Sequence, residues 1–181
     1  MRKHWFPKPY ADFVMRYRVL SHFPLLAGFL LLAKPSVASL LYGLALALPG
    51  LGIRAWAAGY LKKNQDLTDG GPYAWTRNPL YLGTLIAALG LAVSSQSWLV
   101  FVITAAVFAL VYLPVIEQEE QHLLKLFPGY RAYAERVPLL MPALPKNSGR
   151  GQFAFSVYLW NQEWKAATAY LIAMGYLLWK I

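Results

Sequence analysis

Long uncharged runs, broken by short polar segments, organise this chain. Residues 79–116 contain no Asp, Glu, Lys or Arg, an unbroken run of 38 residues. A helix needs about 20 residues to cross the hydrocarbon core of a bilayer, so the run predicts two crossings. The polar cluster Ser94-Ser95-Gln96-Ser97 marks the turn between them. One helix is thus expected near 79–94 and the next near 98–116.

Upstream, Pro35 to Ile53 is uncharged, and the apolar character continues past Arg54 to about Leu61. The first apolar stretch, Val19 to Ala33, is shorter. Basic residues before an apolar middle also resemble a signal peptide. Because further spans follow without a soluble domain, an uncleaved helix is expected, with Arg16 and Arg18 snorkelling to the interface. At the far end, Pro138, Pro142 and Pro145 with "KNSGRGQ" read as a linker. Beyond it, "FAFSVYLW" and "AATAYLIAMGYLLW" are separated by Asn161, Gln162, Glu163 and Lys165. Either one bent fifth span or an interfacial helix and a short span accommodates them. Trp160, Trp164, Tyr176 and Trp179 suit an interfacial belt. The expected architecture is all-α: a polytopic membrane bundle of about five helices, with residues 1–149 as core and 150–181 as an extension.

Composition supports a bilayer as the solvent. The chain is 58% hydrophobic and only 14% charged, with mean hydropathy +0.39, whereas soluble domains carry about a quarter charged residues. With no cysteine among the 181 residues, disulfides, thiolate metal sites and cysteine nucleophiles are excluded. His4, His22 and His122 are scattered without metal-ligand spacing, so no metal site is expected. The formal charge of +9 flanks apolar runs instead of forming a stripe, which favours anionic lipid headgroups over nucleic acid. Five basic residues lie in 1–18, three in 62–77 and five in 117–150, against Lys34 alone in the opposite turns. That bias puts the N-terminus and both polar segments in the cytoplasm.

Chemistry is therefore sought on that face. In "KKNQDLTDGGPYAWTRNPLYLG" (62–83) Gly70-Gly71-Pro72 permits a sharp turn, and Asn78-Pro79 opens a helix. Its first amides favour an anion, with Arg77 beside them. A capped helix with a snorkelling arginine satisfies the same residues. In "EQEEQHLLKLFPGYRAYAERVPLLMP" (117–142) the acids Glu117, Glu119 and Glu120 follow directly on an apolar span. Glu117 and Glu120 share one helical side, and Glu119 points elsewhere. They read as a solvated helix end, or as carboxylates that pair with Arg77 or bind a cationic or hydroxylated ligand. Tyr81, Tyr130 and Tyr133 are candidate cation contacts. Arg54 sits inside an apolar helix, where charge is costly and partnered. One of the three glutamates, or a ligand carboxylate or phosphate, is its expected partner, with simple snorkelling as the alternative. "GLG" at 50–52 suits close helix packing.

These segments carry a resemblance. "GPYAWTRNPLYLG" is similar to the Gly-Pro-Tyr…Arg-His/Asn-Pro-x-Tyr-x-Gly motif of integral-membrane methyltransferases, the isoprenylcysteine carboxyl methyltransferase and phospholipid N-methyltransferase group. "EEQHLLKLFPGYRAYAERVPLLMP" resembles the second half of that signature, and "RAWAAGYL" (54–61) its Arg-x-Trp helix end. The resemblance spans about 54–142. It implies S-adenosylmethionine as methyl donor and a lipid-like acceptor, an amine or a carboxylate, entering from the bilayer. It also implies cofactor contacts at Arg77, Asn78, Pro79, Tyr81, Gly83, Glu120, Tyr130 and Tyr133, and catalytic roles for Glu119, Glu120 and Arg54. Arg77 or backbone amides would hold the donor carboxylate, and Glu119 or Glu120 its ammonium or ribose hydroxyls. Asn78 in place of His argues against proton acceptance there and tilts the acceptor toward an amine or a phospholipid-like molecule. Leu139 stands where many relatives have Arg, with Arg136 as a substitute. A non-enzymatic membrane lipid-binding or adaptor protein of the same fold is the competing expectation.

Overall fold

The computed structural model describes residues 5–145, 149 and 151–181, and is helical throughout. His4, Lys146 and Arg150 lie outside the described residues, as does the immediate surrounding of the boundary expected at 149–150. The helices are α1 (Lys8–Tyr17), α2 (His22–Leu32), α3 (Val37–Ala58), α4 (Pro79–Ser94), α5 (Trp98–Val107), α6 (Leu113–Leu126), α7 (Tyr130–Arg136), α8 (Phe155–Trp160) and α9 (Trp164–Trp179).

Local chemistry fixes most of the boundaries. A reciprocal capping box between Ser36 and Ser39 starts α3. Pro79 occupies the first position of α4, where its missing N–H costs nothing. The α4 limits coincide with the expected 79–94, and Gln96 turns the chain at a positive φ of 51°. Ser97 then caps α5 by accepting from the Val100 amide at 3.4 Å. The following helix does not stop near 116. A π turn, Phe108–Tyr112, joins α5 to α6 in one helix of 29 residues, Trp98–Leu126. It ends at Phe127-Pro128-Gly129, where proline and glycine prevent continuation.

The N-terminal region differs from expectation. Instead of one span over Val19–Ala33, a 3₁₀ turn at Arg18–Ser21 separates the amphipathic α1 from α2. α1 packs on α6, and α2 on α5. Of the expected spans, Val37–Ala58 and Trp98–Leu126 are long and apolar enough to cross a membrane, while the apolar α4 has 16 residues. At about 1.5 Å per residue α4 alone falls short of the roughly 30 Å hydrocarbon core.

The closest packing is between α3 and α4. Small residues at 43, 47 and 50 face small residues at 83, 87 and 90, letting the backbones touch. A Cβ on Gly50 would stand 2.7 Å from the Gly83 carbonyl oxygen, and one on Gly83 would stand 2.5 Å from that of Gly50. The expected packing role of "GLG" thus falls to Gly50, while Gly52 faces open space. At the opposite end from the polar segments, Phe29, Leu40, Ala47, Ala92 and Val100 form a core with Tyr170, Met174 and Leu177 of α9. The C-terminal extension is therefore part of the packed bundle. Leu31, Tyr42, Trp98, Leu171 and Ile172 are each more than two-thirds exposed, an apolar exterior unlike that of a soluble monomer.

Candidate functional site

The two polar segments meet at one end of the bundle through main-chain hydrogen bonds. The Arg77 amide donates to Pro138 O at 2.9 Å, and the Ala143 amide to Trp75 O at 3.0 Å. The Leu139 carbonyl accepts from Thr76 Oγ1 at 3.2 Å and from Asn78 Nδ2 at 3.0 Å. Asn78 thus stands at the start of α4 without a side-chain cap. Its amide ties "TRN" to "VPLL" instead. Leu139 serves through its carbonyl, which any residue would supply.

Beneath this seam lies an ion pair. Arg77 Nε is 3.1 Å from Glu120 Oε1, and the two side chains are 2% and 6% exposed. The distance suits an ion pair, but Nε lies off the line of a hydrogen bond. Arg77 Nη1 also donates to Ala134 O at 3.3 Å. Tyr130 donates to Glu120 Oε1 at 3.0 Å, and Tyr133 to Tyr73 O at 2.8 Å. Burial pushes both hydroxyls above their ordinary pKa, and the Glu120 carboxylate beside Tyr130 pushes the same way. Arg77, Glu120, Tyr130 and Tyr133 therefore form a closed buttress. A donor carboxylate would have to open this ion pair to reach Arg77.

Glu119 points elsewhere, as the helical spacing predicts. It accepts from Tyr81 at 2.8 Å, and Tyr81 packs edge-on against Tyr112 at 5.9 Å between ring centroids. Tyr112 in turn hydrogen-bonds His22 at 3.1 Å. Glu117 is buried and accepts from the amides of Trp5 at 2.6 Å and Phe6 at 3.1 Å. Glu117 and Glu120 are thus not a solvated helix end. Gly83 lies against Gly50 and Arg54, so close helix approach accounts for it. Pro79 is buried at the first turn of α4.

Arg54 corrects an expectation. Its partner is none of the three glutamates on α6. It is Glu163, from the turn between α8 and α9, with Nε–Oε1 at 2.5 Å and Nη2–Oε2 at 3.0 Å. Nη1 donates to Leu80 O at 3.3 Å and to Thr84 Oγ1. The pair is less sealed, with side chains 22% and 10% exposed. The carboxylate that neutralises Arg54 thus comes from the extension.

Tyr73 is the residue that sequence reasoning missed. It is 7% exposed, and its hydroxyl has no hydrogen-bond partner among the described residues. Burial raises its pKa most, followed by Tyr133, Glu119 and Glu163, with Arg54 opposing. The hydroxyl therefore feels two carboxylates and a guanidinium from three different segments. Its place in "GPY" was the signal that pointed to it. A buried hydroxyl left unpaired costs about 1–3 kcal/mol, which a ligand would recover.

Residues 28–129 match the phospholipid methyltransferase family. The chain belongs to that family. It is 37% identical over 119 residues to the cobalt-zinc-cadmium resistance protein CzcN of Cupriavidus metallidurans, covering 65% of this chain and 53% of that protein. It is 37% identical over 93 residues to the nickel-cobalt-cadmium resistance protein NccN of Alcaligenes xylosoxydans xylosoxydans, 50% of this chain and 44% of that one. Phosphatidylethanolamine N-methyltransferase B of Dictyostelium discoideum is 38% identical over 66 residues, 36% of this chain and 32% of that one. The chain spans about half the length of the first two relatives and a third of the last. No solved structure matches.

Proposed function

We propose that this chain is a membrane-embedded methyltransferase that moves a methyl group from S-adenosylmethionine to a lipid-like acceptor. The orphaned hydroxyl of Tyr73, a residue of the first motif tied to the second by the Tyr133 hydrogen bond to Tyr73 O and within electrostatic reach of Glu119, is the observation that carries this reading. The residues fit such a donor. Glu119 offers a carboxylate to an ammonium or to ribose hydroxyls, Tyr73 offers a hydroxyl, and Tyr81 and Tyr112 offer aromatic faces to a cation. S-adenosylmethionine when bound supplies a methyl carbon already activated by its sulfonium. The chain's own task is to align the reactants and exclude water. The Arg77–Glu120 buttress and the Asn78–Leu139 seam hold the site in place from behind. Asn78 Nδ2 is committed to a carbonyl, so a proton leaving an amine acceptor would pass to Glu119. A carboxylate acceptor needs no base. The apolar exterior and the two long helices support a bilayer setting, and the basic flanks support a cytoplasmic site with the N-terminus on the same side.

The test is equilibrium binding of radiolabelled S-adenosylmethionine to the detergent-solubilised protein, followed by transfer of label to a membrane lipid extract. Binding that falls on Glu119→Ala and Tyr73→Phe is expected. Folded protein with no donor binding would overturn the reading. It would favour a second one, a non-enzymatic membrane protein acting alongside a metal-resistance system, which the names of two relatives support.

A further inference from the structure

The Arg54–Glu163 pair is built to come apart. The Arg54 fork does not depend on Glu163 for its aim. Its Nη1 is fixed to α4 through Leu80 O and Thr84 Oγ1, so the Nε–Nη2 edge stays presented when the carboxylate leaves. That edge binds carboxylate and phosphate oxygens in the same bidentate geometry.

Glu163 can leave without detaching the extension. Asn161 holds the α8–α9 turn independently, its Nδ2 donating to Ala58 O at 2.9 Å and Leu61 O at 2.8 Å. The Ala154 amide adds a bond to Gly59 O at 2.9 Å. The pair is also reachable, unlike Arg77–Glu120.

We propose that Arg54 is the receptor for a phosphate-bearing lipid headgroup, and that Glu163 is a built-in occupant which this phosphate displaces. The proposal deepens the methyltransferase reading by naming the anionic part of its acceptor. It is tested without any methyl donor, so that either reading can fail alone.

The experiment measures binding of dihexanoyl phosphatidic acid to the full chain in neutral detergent micelles. Dihexanoylglycerol and inorganic phosphate serve as controls. Glu163→Gln, which removes the competing charge at nearly constant shape, is expected to tighten binding about tenfold. Arg54→Ala is expected to abolish it. Should Arg54→Ala not fold, Arg54→Lys keeps the charge, loses the fork and is expected to bind about tenfold more weakly. Binding to Glu163→Gln that is unchanged or weaker would overturn the proposal, because a merely structural pair predicts that result. Equal binding of dihexanoylglycerol, or competition by inorganic phosphate at the lipid's own concentration, would also overturn it.

Discussion

Two arginine–glutamate pairs stand at the same end of this bundle and differ in nearly every respect that governs exchange. Arg77–Glu120 joins α4's entry to α6, lies wholly within the family match and is almost sealed from solvent. Arg54–Glu163 takes its acid from beyond the match, keeps part of its arginine exposed and presents a free-standing fork. A sealed pair repays its desolvation only by staying shut, so it works as a brace. A half-open pair loses less on parting, so its acid can be traded for another anion. The same two residue types thus yield a fixed part and an exchangeable one, separated by burial and by which segment supplies the carboxylate.

Breaking the brace should have the largest effect. Arg77→Ala strands a buried Glu120 and is expected to cost about 3–5 kcal/mol, read as a lowered unfolding midpoint in detergent. If the pair is only a brace, Arg77→Met combined with Glu120→Leu recovers much of that loss. Gly83→Ala comes next. Its new Cβ would stand 2.5 Å from Gly50 O and 2.6 Å from Arg54 Cγ, for an expected loss of about 1–3 kcal/mol from overpacking. Because the displaced side chain is Arg54, phosphate-lipid binding should change while the Arg77–Glu120 seam persists. Glu163→Gln is expected to cost only about 1 kcal/mol, since Arg54 keeps its α4 partners and some solvent. A loss as large as that of Arg77→Ala would erase the contrast between the pairs. Tyr73→Phe should lie within about 0.5 kcal/mol of the parent without ligand, because the hydroxyl it removes has no partner to lose. A clear drop in ligand-free stability would place that hydroxyl in a structural network instead.

Local chemistry made much of this legible. The Pro79 start, the Ser94–Ser97 turn and, of "GLG", the packing of Gly50 are signals read within a few residues. Helical spacing alone separated Glu119 from Glu117 and Glu120. What sequence could not reveal was pairing at a distance. Glu163 lies 109 positions from Arg54, and no period or spacing connects them. Tyr73 stayed in the background because an unpartnered hydroxyl is a property of its surroundings. The expectation of a helix near 98–116 falls short because charge ordinarily ends an apolar helix, whereas Glu117 and Glu120 are satisfied by amides, Arg77 and Tyr130.

The π turn at Phe108–Tyr112 sets the phase of everything that follows it. Such a turn holds one residue more than regular winding allows. Were the same residues wound as regular α-helix, the extra one would carry α6 about 100° round and about 1.5 Å along. Glu117, Glu119 and Glu120 would then swing off the Trp5 and Phe6 amides, Tyr81 and Arg77 all at once. The angular setting of three acids, and with it the brace and the ligand-facing carboxylate, is stored in one local overhang of the chain. A change of winding in this stretch would therefore act on the site like a triple substitution, whereas deleting the one extra residue would leave the three acids in place.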